Sequence, residues 1–154
     1  MNGLGSVGRL LVWGAAMAIM ASCAGSEPER ELRERIEAAA VAAEARDTGF
    51  FRDLIAASYA DQRGNDRTSL LNLVRGQFLI HQRIEVISDI QAITVADGTA
   101  AHTVITAGLV GSAGPRLRFG ELSAELYRIE LEWIRDGGDW RVIGARWSGL
   151  GDPQ

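Results

Sequence analysis

Side chains able to move a proton near neutral pH are scarce in this sequence, which has two histidines, His81 and His102, as its only groups that ordinarily titrate there. His81 ends a stretch of helical periodicity, where a cation favours the carbonyl termini, and this structural role outweighs a catalytic one. His102 shares a strand face with Val104 and Thr106 and reads as a satisfied sheet residue or a surface one. Tyr59 and Asp61 close the second helical stretch. An aspartate beside a tyrosine supports enolisation in principle, whereas Asp61-Gln62-Arg63-Gly64-Asn65 has the composition of a turn. His81, Tyr59 and Asp61 are thus catalytic candidates, with no catalytic residue assigned. The histidines lie on different elements and the one cysteine, Cys23, sits far from both in the chain, so no metal site is expected. Gly137-Gly138 joins two strands and makes no phosphate loop at a strand-to-helix junction. A Gly-x-Ser-x-Gly elbow is missing as well. No cofactor is expected.

Cys23 has a different context. From Leu10 to Ala24 the chain is uncharged and largely apolar, preceded by a positive charge at Arg9. That is the make-up of an export signal, and its roughly 15 residues fall short of the roughly 20 that a permanent span requires. The run ends in Met20-Ala21-Ser22-Cys23, which resembles the lipobox of bacterial lipoproteins, with Met20 where leucine is commoner. The resemblance implies cleavage of residues 1–22 as a signal peptide, a diacylglyceryl group on the Cys23 thiol, and a short lipidated tether over residues 23–28, broken by Pro28. Two or more acyl chains hold a domain stably on a membrane. Ala24 stands where family rules place aspartate for inner-membrane retention, so the resemblance implies a lipid-anchored envelope protein facing the periplasm, with the outer membrane favoured. Ordinary cleavage after Ala24, leaving a soluble periplasmic protein, is the competing reading. With a single cysteine no intramolecular disulfide can form, and stability must come from the core.

The whole chain of 154 residues leaves room for one domain. Its 47% hydrophobic and 23% charged residues exclude wholesale disorder and a multi-span membrane protein. A net charge of −4 argues against a nucleic-acid partner.

The elements that would position these residues follow from periodicity. Leu32, Ile36, Ala39, Ala40 and Ala43 predict an amphipathic helix from Glu29 to about Arg46, with Glu31–Arg35 and Arg33–Glu37 pairs along its exposed side. Asp47 can cap a second helix carrying a stripe of Phe50, Phe51, Leu54, Ile55 and Tyr59. Asp66 can cap a third, through Leu70, Leu71, Leu73, Val74 and Phe78. After His81-Gln82 the period becomes two. Ile84 and Val86 keep one phase and Ile93 and Val95 the other, so a bulge or bend near Ser88-Asp89 is needed to hold both pairs on one face. Asp97-Gly98 signals a hairpin into a strand from about Thr99 to Val110, and a loop from Gly111 to Gly120 follows. Tyr127, Ile129, Leu131 and Trp133 then alternate with Arg128, Glu130 and Glu132, giving one buried and one wet face. Asp136-Gly137-Gly138-Asp139 turns the chain into a last strand, from Trp140 to about Trp147. The sum is an α+β domain, with three N-terminal helices packed on a curved, mostly antiparallel four-stranded sheet.

That element order, together with Gly138-Asp139-Trp140-Arg141-Val142 and Ala145-Arg146-Trp147, resembles the nuclear transport factor 2-like superfamily, the cystatin-like cone fold shared with SnoaL-type cyclases and ketosteroid isomerases. The resemblance covers roughly residues 29–148 of a domain drawn at 29–150. Arg75-Gly76-Gln77-Phe78 and His81-Gln82-Arg83-Ile84 look most like its small exported lipoproteins of unassigned function. It implies a pocket at the open end of the cone, with Phe51, Tyr59, Phe78, Tyr127, Trp133 and Trp147 as lining candidates, against the simpler reading of these aromatics as core. The expected function is a membrane-anchored envelope lipoprotein whose cone domain binds a small apolar ligand or an envelope protein without catalysis. The alternative is a pocket enzyme of isomerase, cyclase or dehydratase type acting on a small hydrophobic substrate. A homodimer through the outer sheet face is a third expectation, against which the wet alternation of Arg128, Glu130 and Glu132 argues.

Overall fold

The computed structural model describes residues 26–112 and 125–150. The expected signal peptide, Cys23 and most of the expected tether lie outside the described residues, as does most of the expected loop from Gly111 to Gly120.

Helix α1 spans Glu27–Glu44, two residues ahead of the expected start. Pro28 falls in its first turn, where the missing N–H costs nothing and the fixed φ suits a helix, so it starts the helix rather than breaking a tether. The helix closes in a Schellman arrangement: Asp47 N–H donates to the Ala42 carbonyl at 2.8 Å and Arg46 N–H to that of Ala43 at 3.1 Å, with Arg46 left-handed at φ 55°. The Asp47 carboxylate then accepts from the N–H groups of Gly49 and Phe50 and caps α2, Thr48–Leu54. This helix stops short of the predicted stripe. Ile55 is extended and bridges to Val142, and Ala56 N–H donates to the Val142 carbonyl at 2.9 Å. Pairing with the sheet edge uses the backbone groups that would have continued the helix. Tyr59 therefore reaches the core from a turn. Asp66 caps α3, Arg67–Ile80, through Ser69 N–H at 2.8 Å.

Strands β1 (Arg83–Ala96), β2 (Ala100–Ser112), β3 (Glu125–Asp136) and β4 (Asp139–Gly149) form one antiparallel sheet in chain order. The β1 bulge lies between Ile90 and Ala92, later than expected. Placed there it keeps Ile90 inward opposite Ile105; a bulge at Ser88-Asp89 would have turned that side chain out. A second register shift at Glu132/Trp133 brings Trp140 and Val142 onto the same face as Ala145 and Trp147. Asp97 and Gly98, at φ 50° and 68°, open the three-residue loop that pairs Ala96 with Ala100, and Thr99 N–H returns to the Ala96 carbonyl at 3.2 Å. Helix α1 packs along β1, and α2 against α1, α3 and β4. The core lies between these helices and the inner face of the sheet.

Candidate functional site

The cross-strand register sorts the inner face into rows running from the two hairpins towards the opposite end of the sheet. Nearest the hairpins stand Val95, Ala101, Trp133 and Val142, of which the last three are buried. Next come Ile93, Thr103, Leu131 and Ala145, with Thr103 fully buried. The third row is Ile90, Ile105, Ile129 and Trp147, where only Ile105 is buried. In the fourth, Ser88 is exposed and Ala107 and Tyr127 are half-buried. Along β2, β3 and β4 the inner wall is sealed at the hairpin end and more exposed away from it, while on β1 the same face closes again at Ile84, which is buried.

The seal has a specific chemistry. Trp133, 1% exposed, donates its indole N–H to Thr103 Oγ1 at 2.9 Å, so neither buried polar atom is orphaned. Beside it both carboxylate oxygens of Glu31 of α1 accept from Nη2 of Arg135, at 2.9 and 2.7 Å, and Oε2 also accepts from the Trp140 indole N–H at 3.0 Å. Arg135 also lies over the Trp140 ring. The first turns of α1 are thereby bolted to the β3–β4 hairpin. The expected Glu31–Arg35 surface pair is not the one that forms: Glu31 turns to the sheet, and Arg35 lies 5.1 Å over the Phe50 ring.

Of the six aromatics expected to line a pocket, Trp133 stands in the sealed end and Tyr59 is 3% exposed. Tyr127 and Trp147 stand half-buried in the open half. Phe51 and Phe78 meet edge to face at 5.9 Å, joining α2 to α3. Trp147 is further flanked by the Arg63 guanidinium at 4.8 Å.

Asp61 organises its turn. Its carboxylate accepts from the N–H of Arg63 and of Asn65, from the Asn65 amide and from the Tyr59 hydroxyl. Partial burial pulls the carboxyl upward, but the bonds from the Asn65 side chain, the Asn65 and Arg63 backbones and Tyr59 together outweigh it and hold the group below its usual range. The Tyr59 phenol is pushed well above its ordinary value, by burial first and by the charge and hydrogen bond of Asp61 next. A saturated, ionised carboxylate facing a phenol locked in its protonated form has little to offer as a base at neutral pH. His81 is the C-cap of α3, its N–H bonded to the Gln77 carbonyl. Its Nδ1 is buried without a hydrogen-bond partner among the described residues. His102 lies on the outer face, its Nε2 3.7 Å from Glu130. There the hydrogen bond from Arg128 draws the Glu130 carboxyl below its usual value, assisted by the charges of Arg128, Arg146 and His102. Among the described residues no three histidine, cysteine or acidic side chains stand together as metal ligands. Along the inner positions whose side chains are described, there is neither a carboxylate nor an imidazole. The inner face can shelter apolar matter but carries no acid–base pair among its described positions.

No family model and no curated protein matches this sequence. Solved structures do match. A protein from Novosphingobium aromaticivorans, provisionally assigned as a scytalone dehydratase, superposes with a TM-score of 0.70 at 8% identity over 82% of this chain and 95% of its own. A nuclear transport factor 2-like superfamily protein from Salmonella enterica gives 0.66 at 17% identity, over 82% of this chain and 97% of that one. A Bdellovibrio bacteriovorus structure, Bd1075, gives 0.66 at 11% identity, and this chain spans only 45% of its length. The fold is therefore the nuclear transport factor 2-like cone. The matching part accounts for almost the whole Salmonella chain, so in that protein the fold stands alone.

The sequence identified the strand faces but missed the Glu31–Arg135–Trp140 bolt and the Trp133–Thr103 bond. The one available signal was Glu31 beside the buried Leu32, on the flank of the apolar stripe.

Proposed function

We propose that this chain is a lipid-anchored protein of the bacterial envelope, held on a membrane through Cys23 with the outer membrane favoured, whose cone domain binds a small apolar ligand without catalysis. The observation that carries the binding role is the inner wall that becomes more exposed from Trp133 towards Ala107, Tyr127 and Trp147 and is mostly apolar, with Thr103 and Ser88 as its small polar residues. Sites for small molecules are typically concave, mostly apolar and furnished with a few polar groups. The anchor rests on the Met20-Ala21-Ser22-Cys23 segment. Two experiments test the two halves. A clickable palmitate fed to cells should label the wild type and spare Cys23→Ala; equal labelling of both, or none of either, would contradict the anchor. For the ligand, organic extraction of the protein isolated from envelopes should yield an apolar compound that Ala107→Trp, by blocking the open half, no longer retains. Retention by both would contradict the inner-wall site.

One observation favours a second reading. The buried, unpartnered Nδ1 of His81 is the kind of group that a pocket enzyme uses, and two structural neighbours are provisionally assigned as dehydratases. On that reading His81 acts as the acid–base group, without Tyr59 and Asp61, which are committed to each other. Turnover of a hydrophobic hydroxy-ketone that is abolished in His81→Ala would establish it.

A further inference from the structure

A second recess lies outside the inner wall, where the turn between α1 and α2 meets the C-terminal half of α3. It is a cleft of about 470 Å³ lined by Ala45, Arg46, Thr48, Arg75, Phe78 and Leu79. The recess is wide open to solvent, so a molecule seated there would lie along it rather than be enclosed. Two features make it unusual. Its apolar wall is left in water: Leu79 is 86% exposed, and the neighbouring Ile80 and Val41 are 60% and 65% exposed. Its two cations lack acidic partners. Arg46 has no ion pair among the described residues, and Arg75 bonds only to the Asn72 amide oxygen on its own helix. The carboxylates beside Arg46 in the chain are taken by backbone donors, Glu44 by Val86 N–H and Asp47 by Gly49 and Phe50.

Arg46 is also the wrong residue for its backbone. It holds the left-handed position of the Schellman turn at φ 55°, a place glycine fills without strain. A side chain kept there against the local conformational preference points to a use for the guanidinium. Apolar surface and two unpaired guanidiniums in one cleft match a ligand with an acyl tail and an anionic head, since arginine recognises carboxylates bidentately. We propose that this cleft binds a free single-chain carboxylate amphiphile of the fatty-acid class, with Arg46 and Arg75 on the head and Phe78 and Leu79 against the tail. The site is separate from the inner wall. The 18 residues of α1 hold the cleft about 27 Å from Ser26, at the opposite end of that helix from a tether at the N-terminus, so a soluble amphiphile suits it better than a bilayer surface.

The test uses decanoate on the cone domain, residues 24–154, followed by calorimetry and amide chemical shifts. Decanoate should saturate, shifting amides of residues 45–48 and 75–79 first, and decanol should bind at least tenfold more weakly. Arg46→Gly should weaken decanoate binding about tenfold while melting no lower than wild type, and Arg75→Gln should weaken it similarly. Undiminished binding in both variants, equal affinity for decanol, or shifts confined to the inner strands near residues 105–107 and 127–129 would overturn the proposal. So would arginine-dependent binding to phosphatidylglycerol vesicles with none to decanoate.

Discussion

The hydrogen bond between Trp133 and Thr103 offers a sharp test of how the narrow end of the cone is held. Both residues are shut off from solvent, at 1% and 0% exposure, and the bond between them is 2.9 Å long. Thr103→Val keeps the shape but strands the indole N–H, at a cost of about 1–3 kcal/mol for an unsatisfied buried donor. Trp133→Phe strands the threonine hydroxyl and leaves a void where the larger ring was, together roughly 2–4 kcal/mol. The double variant removes both orphaned groups, so it should be less destabilised than the sum of the singles by about 1–2 kcal/mol. Urea unfolding of the cone domain measures this directly. With a slope of about 2 kcal/mol per molar urea, Thr103→Val alone should lower the midpoint by about 0.5–1.5 M. Additivity of the two substitutions to within about 0.5 kcal/mol would refute the claim that this bond, rather than packing alone, closes the end.

Other consequences are open to the same methods. Glu31→Ala should cost about 1–3 kcal/mol, because it leaves Nη2 of Arg135 and the Trp140 indole N–H together without their acceptor, and α1 amides near residues 27–32 should exchange faster; an unchanged midpoint would dismiss the bolt. Arg46→Gly should raise stability by about 1 kcal/mol by relieving the left-handed arginine, read as a melting temperature a few degrees higher; a lower one would contradict that account. The Asp61 carboxyl is held below its usual range when folded, so its contribution is fully present above the ordinary carboxylate range and disappears as pH falls through the depressed folded value. Asp61→Asn should therefore flatten the acid side of the stability profile, and an unaltered slope below pH 4 would count against it. With Arg128, Glu130, His102 and Arg146 linked across the outer face, the cone domain should sediment as a monomer at micromolar concentration; a dimer would reassign that face.

The faces of the strands were legible because alternation is local. Tyr127, Ile129, Leu131 and Trp133 share one side for purely periodic reasons, and they do so in the structure. The bulge in β1 could be inferred but not placed. Ile84, Val86, Ile93 and Val95 demand one somewhere between them, and only the inward Ile90 opposite Ile105 fixes it at Gln91. The second helix was overrun because an apolar stripe continues past Leu54, while Ile55 and Ala56 give their backbone to β4, residues some 85 positions later. The bolt at the narrow end was hidden for the same reason: Glu31 and Arg135 are 104 residues apart, and spacing along a helix offers Glu31 a nearer partner in Arg35. The Asp61 turn, by contrast, is all local chemistry, with every bond to its carboxylate coming from within four residues. What a pocket holds is not written in periodicity at all.

The central claim is an inner face closed at its hairpin end and accessible at the row of Ser88, Ala107 and Tyr127, and cysteine accessibility measures it directly. With Cys23, the chain's single cysteine, replaced by serine, new cysteines at Ser88 and Ala107 should react with a small maleimide at rates near that of an unfolded peptide. One at Ala101, on the same strand and face as Ala107 but in the sealed row, should react at least a hundredfold more slowly. Equal rates at the three positions, or fast reaction at Ala101 alone, would contradict it.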